Sequence, residues 1–170
     1  MDKQNEGVFN IENIERSHKS FGEVVKATKL VICNSNGDPS DMIFMGQKFI
    51  VKLHVKKKLK DIIPDLHYGL IFRDNMYNRM ATINTQMIGR SINIKDEESV
   101  ITFSIEKIPF TDTKIFIDLN ISQQHQKCYD HLNNAASFEP IQKDIYGNGY
   151  NYNKYFGSIF ISSFDITLGN

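Results

Sequence analysis

Apolar residues recur at every second position through much of the chain and almost nowhere at helical spacing. Residues 48–55 are the clearest case. Phe49, Val51, Leu53 and Val55 fall on one side, with Lys48, Lys52 and His54 mainly on the other, which predicts a strand with one buried face. Residues 114–122 repeat the pattern, with Ile115, Ile117, Leu119 and Ile121 inward and Phe116, Asp118 and Asn120 opposite. Residues 24–33 are rich in Val and Ile and predict a first strand, closed by the turn residues of 34–39. Residues 100–105 place Ile101, Phe103 and Ile105 inward. Between these lies a hairpin. An apolar run at 66–72 is too short for a helix, Asp74-Asn75 supplies turn chemistry, and Thr82, Asn84 and Gln86 then alternate with Ala81, Ile83, Thr85 and Met87. Shorter strands are predicted at 91–94 and at 136–141, the latter with Phe138 inward. A last strand is predicted at 158–168, with Phe160, Phe164, Ile166 and Leu168 on one side.

Many short strands separated by turn signals, with no solenoid repeat and no long helix, predict an all-β chain: an immunoglobulin-like antiparallel β-sandwich. A closed barrel is the alternative, and the unequal loops disfavour it. Residues 1–20 are polar, with Phe9, Ile11 and Ile14 at only a faint helical spacing. They read as a linker or N-terminal arm, leaving 21–170 as one domain. Residues 144–157 form a loop of Gly, Asn and Tyr.

Charge changes the picture little. Lys plus Arg and Asp plus Glu are 20 each in 170 residues, so no broad attraction to nucleic acid or anionic lipid is expected. Catalytic patterns are missing: no histidine sits in HExxH, no serine in GxSxG, and no GxxxxGK[ST] loop marks an ATPase. His125 and His131 flank Cys128, but the spacing is not that of a zinc site, and this stretch reads as a solvated loop. Cys33 and Cys128 read as reduced thiols. No cofactor, no metal and no enzymatic activity are expected. The first residues lack the apolar core of a secretory signal, and no apolar run is long enough to cross a bilayer. A cytoplasmic location follows as an expectation. The run Lys56-Lys57-Lys58 reads as a solvated corner, with a phosphate or acidic-sugar contact as the lesser reading.

Several short motifs occur in a fixed order: Phe21-Gly22-Glu23, Asn36-Gly37, Met45-Gly46-Gln47, Pro64-Asp65, Gly69-Leu70-Ile71, Arg73-Asp74, Asn84-Thr85, Tyr129-Asp130 and Ala136 to Pro140. In that order and spacing the chain resembles the C-terminal carbohydrate-binding domain of Wzt-type ABC-transporter subunits, which export O-antigen polysaccharide.

The resemblance implies non-catalytic recognition of such a polysaccharide, in particular its terminal region, at the cytoplasmic face of the inner membrane. It implies an ATPase domain as partner and a homodimer, to which residues 158–170 would contribute a swapped strand. Glycans are bound by planar polar side chains and by aromatic rings. The candidate residues are therefore His67, Arg73, Thr82, Asn84, Gln86, Phe116, Asp118, Asn120 and Glu139, with Ser137 beside them. Each also has a plainer role on a solvated sheet face: Asn84 as a turn cap, Arg73 as the surface partner of Asp74. Phe116 stands out because an apolar ring on a polar face needs a covering partner. Tyr150, Tyr152 and Tyr155 either stack on sugar or pin their loop. The alternatives are a structural or dimerisation module contacting a protein partner and, more remotely, a glycan-processing enzyme.

Overall fold

A computed structural model describes residues 6–123, 127–164 and 166–167. Among them, nine strands run in order: β1 (Val8–Asn10), β2 (Val25–Cys33), β3 (Phe49–Lys57), β4 (Ile63–Arg73), β5 (Arg79–Asn84), β6 (Ile92–Ile94), β7 (Glu98–Ile105), β8 (Ile115–Gln123) and β9 (Lys127–Phe138). They form two antiparallel sheets, β1-β2-β3-β7 and β5-β4-β8-β9, with β6 pairing the first residues of β4. The architecture is the expected β-sandwich.

The period-two faces meet between the sheets. Phe49 lies 4.7 Å from Phe138 and 6.5 Å from Phe72, ring centre to ring centre, and Phe72 lies 5.2 Å from Phe110. Leu30, Leu53, Leu70, Ile117 and Leu119 are buried around them, as the alternation requires.

Three expectations fail, each for a visible reason. Residues 127–135 are not a solvated loop: they belong to β9, which pairs with β8. Two register shifts, opposite Ile117/Leu119 and Ile121/Ser122, break the alternation that would have revealed the strand. Cys128 and His131 are therefore strand residues; His125 lies outside the described ones. Where the last strand is expected, at 158–168, the described residues make one antiparallel bridge, between Ile159 and Phe110. Phe160 is buried there, whereas Ile161 and Phe164 are 68% and 63% exposed. Leu168 lies outside the described residues. Finally, Lys57 is buried rather than solvated. It continues the inward face of β3, and its Nζ donates to the carbonyls of Lys95 at 2.7 Å and Asp61 at 2.9 Å.

The N-terminal arm is built into the sandwich. β1 pairs with β2, Ile11 is buried, and Arg16 reaches Asp130 of β9. The two side chains are 5% and 0% exposed. Burying a charge pair is costly unless every hydrogen-bonding group is used, and here each is. The five N–H donors of Arg16 go to both Asp130 oxygens and to the carbonyls of Ile11, Ile14 and Ala27. Asp130 also accepts the Ala27 amide at 2.8 Å. The pair rivets the arm, β2 and β9 together.

Candidate functional site

The outer face of the second sheet collects most of the residues singled out above. Register lines them up in rows: Arg73–Phe116–Ser137, Thr82–Ile71–Asp118, Asn84–Gly69–Asn120–His131 and His67–Ser122–Cys128. Four strands at about 4.8 Å spacing make this face about 14 Å wide. Gln86 and Glu139 lie off it. β5 ends at Asn84, so Gln86 opens a one-turn 3-10 helix, Gln86–Ile88; Glu139 follows the end of β9. Both are exposed.

At one end of the face, Arg73 does not pair with Asp74. Its Nε donates to Asp118, and its Nη1 donates to the Tyr77 carbonyl at 3.1 Å. Asp118 is wholly buried and also accepts the Asn134 amide at 2.9 Å, at the bulge of β9. Asp74 instead organises the hairpin loop. It accepts from the amides of Met76 and Asn78, both at 2.8 Å, and from the Asn78 side chain at 3.0 Å. The Asn78 side-chain bond holds its carboxyl below the usual carboxylate range.

The covering partner of Phe116 is Tyr77, which alternation alone does not reveal because it sits in the turn at φ 63°. The two rings stack at 5.6 Å with 18° between their planes, and Tyr77 stays 56% exposed. The signal was Phe116 itself, unpaired in its own strand beside an aromatic-bearing loop. The result is a flat ring open to solvent next to a guanidinium.

Midway along the face the side chain is missing. A Cβ on Gly69 would lie 3.3 Å from the Cβ of Asn84, so glycine lets Asn84 pack closely over β4, with Asn120 on the other side. The carbonyl oxygen of the Asn84 side chain caps the 3-10 turn through the Met87 amide at 2.8 Å. Asn120 donates to Cys128 Sγ at 3.4 Å. His67 Nδ1 lies 3.2 Å from Thr85 Oγ1, and the Thr82 hydroxyl is buried with no hydrogen-bond partner among the described residues.

A model of the Wzt C-terminal domain matches residues 18–150. The chain belongs to the Wzt C-terminal domain family. Its fold is also that of a solved structure described as the C-terminal domain of wzt, with a TM-score of 0.70 over 94% of this chain and 96% of that one, at 10% identity. A β-glucuronidase from glycoside hydrolase family 2 overlaps 68% of this chain and 11% of its own at 11% identity, with a TM-score of 0.46. No curated protein matches the chain. Membership in the Wzt family places the domain in the context of polysaccharide export by an ABC transporter. Among the described residues of this Wzt-type domain, no helix is long and apolar enough to cross a membrane.

Burial pushes the Cys128 thiol up, the opposite of what a thiolate nucleophile needs. Both cysteines are free.

Proposed function

We propose that this Wzt-type domain binds a surface polysaccharide of the O-antigen kind, at its terminal region, without breaking a bond. Binding would occur on the outer face of the second sheet at the inner face of the membrane, and would present the polymer to its exporter. The observation that carries this reading is the half-exposed Tyr77 ring stacked on Phe116 beside Arg73, on the same face as Asn84 and Asn120. The ring offers stacking to the apolar side of a sugar, and Asn84 Nδ2 offers a donor to its hydroxyls. Calorimetric titration with the polysaccharide of the source cell is the test. Tyr77→Ala and Asn84→Ala should each weaken binding by about 0.5–3 kcal/mol, the range of a hydrogen bond or a stacked ring. Affinity unchanged in both variants would move the site elsewhere.

The domain is also read as a homodimer, completed by exchange of its C-terminal segment. Support comes from the side chains of Ile161 and Phe164, which stay exposed beyond the Ile159 bridge, where Tyr146 reaches the segment through the Ile161 carbonyl at 2.8 Å and the edge of the Phe164 ring. Swapping an identical element is a low-cost route to a symmetric pair. Light scattering decides between the outcomes. A monomeric intact chain contradicts the dimer, and a chain ending at Lys143 that stays dimeric contradicts the role of the segment.

A further inference from the structure

On the opposite side of the sandwich, the outer face of the first sheet is creased by a groove of about 390 Å³. Register builds its floor. Asn10 pairs with Lys29, Lys29 with His54, and His54 with Val100, so one row crosses all four strands. The neighbouring row sets Lys56 opposite Glu98. Lys56 Nζ lies 3.3 Å from Glu12 and 3.6 Å from Glu98, a clasp from the N-terminal arm to β7. A bulge at Thr28 shifts the register of β2, and the Thr28 hydroxyl donates to the His54 carbonyl at 3.3 Å. Bulges of this kind re-aim strand side chains. The arm supplies Asn10 and Glu12 to this wall, and the buried Arg16–Asp130 pair holds the arm in place.

The charges in the groove cancel. Lys29 and Lys56 face Glu12 and Glu98. Burial, and then Lys29, hold His54 below its ordinary value against the pull of Glu98, which disfavours a further positive charge in the groove. A phosphate or uronate would meet as many carboxylates as ammonium groups. A hydroxyl-rich neutral ring meets none of that repulsion. Carboxylates accept from its hydroxyls, lysines donate to them, and Asn10 does both. Val100, 51% exposed, gives apolar surface for the C–H side of the ring. The volume falls within the ordinary range of small-ligand sites, about 300–1,000 Å³.

We infer that this groove is a second glycan subsite, taking a neutral, hydroxyl-rich sugar residue. It rests on the carbohydrate reading above, and its place on the other sheet lets one long polymer engage both faces. The test uses an array of neutral, uronate-bearing and phosphorylated oligosaccharides, probed with the parent chain, Val100→Arg, His54→Ala and Tyr77→Ala. Melting temperatures establish that each variant is folded. Val100→Arg fills the groove from an exposed position, and His54→Ala serves if it does not fold. The best-bound glycans should be neutral, and either groove variant should lower binding at least five-fold. The groove variant combined with Tyr77→Ala should lose more than either alone. Glycan binding by the parent that both groove variants leave intact overturns the subsite alone, as does a preference for acidic glycans. A parent that binds no glycan overturns the carbohydrate reading and the subsite with it.

Discussion

Asp118→Ala should be among the costliest substitutions on the candidate face. Its buried carboxylate accepts from Arg73 Nε and from the Asn134 amide, and so fastens the bulge of β9 to β8. Removing it strands the Asn134 amide, on an exposed residue, and a guanidinium N–H, each worth up to about 1–3 kcal/mol when left unsatisfied. Arg73 is 24% exposed and Asn134 is open to solvent, so water recovers part of both shares, and a net loss of about 2–3 kcal/mol remains. For a domain of this size each kcal/mol moves the melting point by about 2–4 °C, so calorimetry should show a fall of about 4–12 °C. Arg73→Ala acts differently, because it leaves the carboxylate buried without its counter-charge. The double variant Arg73→Ala/Asp118→Ala should therefore be no less stable than Arg73→Ala alone. A melting point for Asp118→Ala within about 2 °C of the parent would refute the reasoning, as would single losses that simply add.

Tyr68→Phe deletes a buried hydroxyl that has no hydrogen-bond partner among the described residues, so stability in urea should hold or rise by about 1 kcal/mol; a clear loss would show that the hydroxyl is bonded. Lys57→Met strips the amine that caps the carbonyls of Asp61 and Lys95 and should cost about 1–3 kcal/mol, whereas an unchanged urea midpoint would return Lys57 to a solvated corner. Burial, and then Lys29, hold His54 below its ordinary value in the folded chain, so the stability of its neutral form is present above the unfolded value and is lost as pH falls through the folded one. Lys29→Ala removes a like charge and should raise the His54 titration followed by NMR; a downward shift contradicts the assignment of the groove.

The sequence showed the strands whose alternation is unbroken, β3 and β8 above all, because side-chain parity and burial are the same fact there. β9 was hidden because bulges at Tyr129 and at Asn133 to Ala135 reset that parity twice. The arm looked like a linker because Arg16 finds its partner 114 residues away, a distance at which local pattern carries no information. Residues 158–168 erred the other way: alternation describes a face that is ready to pair, and only tertiary context supplies the partner. On the candidate face, parity brought out Arg73, Asn84, Phe116, Asp118 and Asn120 together. It could not show that Asp118 is occupied by Arg73, nor that Tyr77 in the turn covers Phe116.

Chemical-shift mapping of the labelled domain during titration with its polysaccharide decides where, and whether, glycan binds. The amides of Gly69, Tyr77, Asn84, Phe116 and Asn120 should shift together, with or without a second set around His54 and Val100. Shifts confined to the loop of residues 144–157 and the C-terminal segment, or no shifts at saturating polysaccharide, would contradict binding on the outer face of the second sheet.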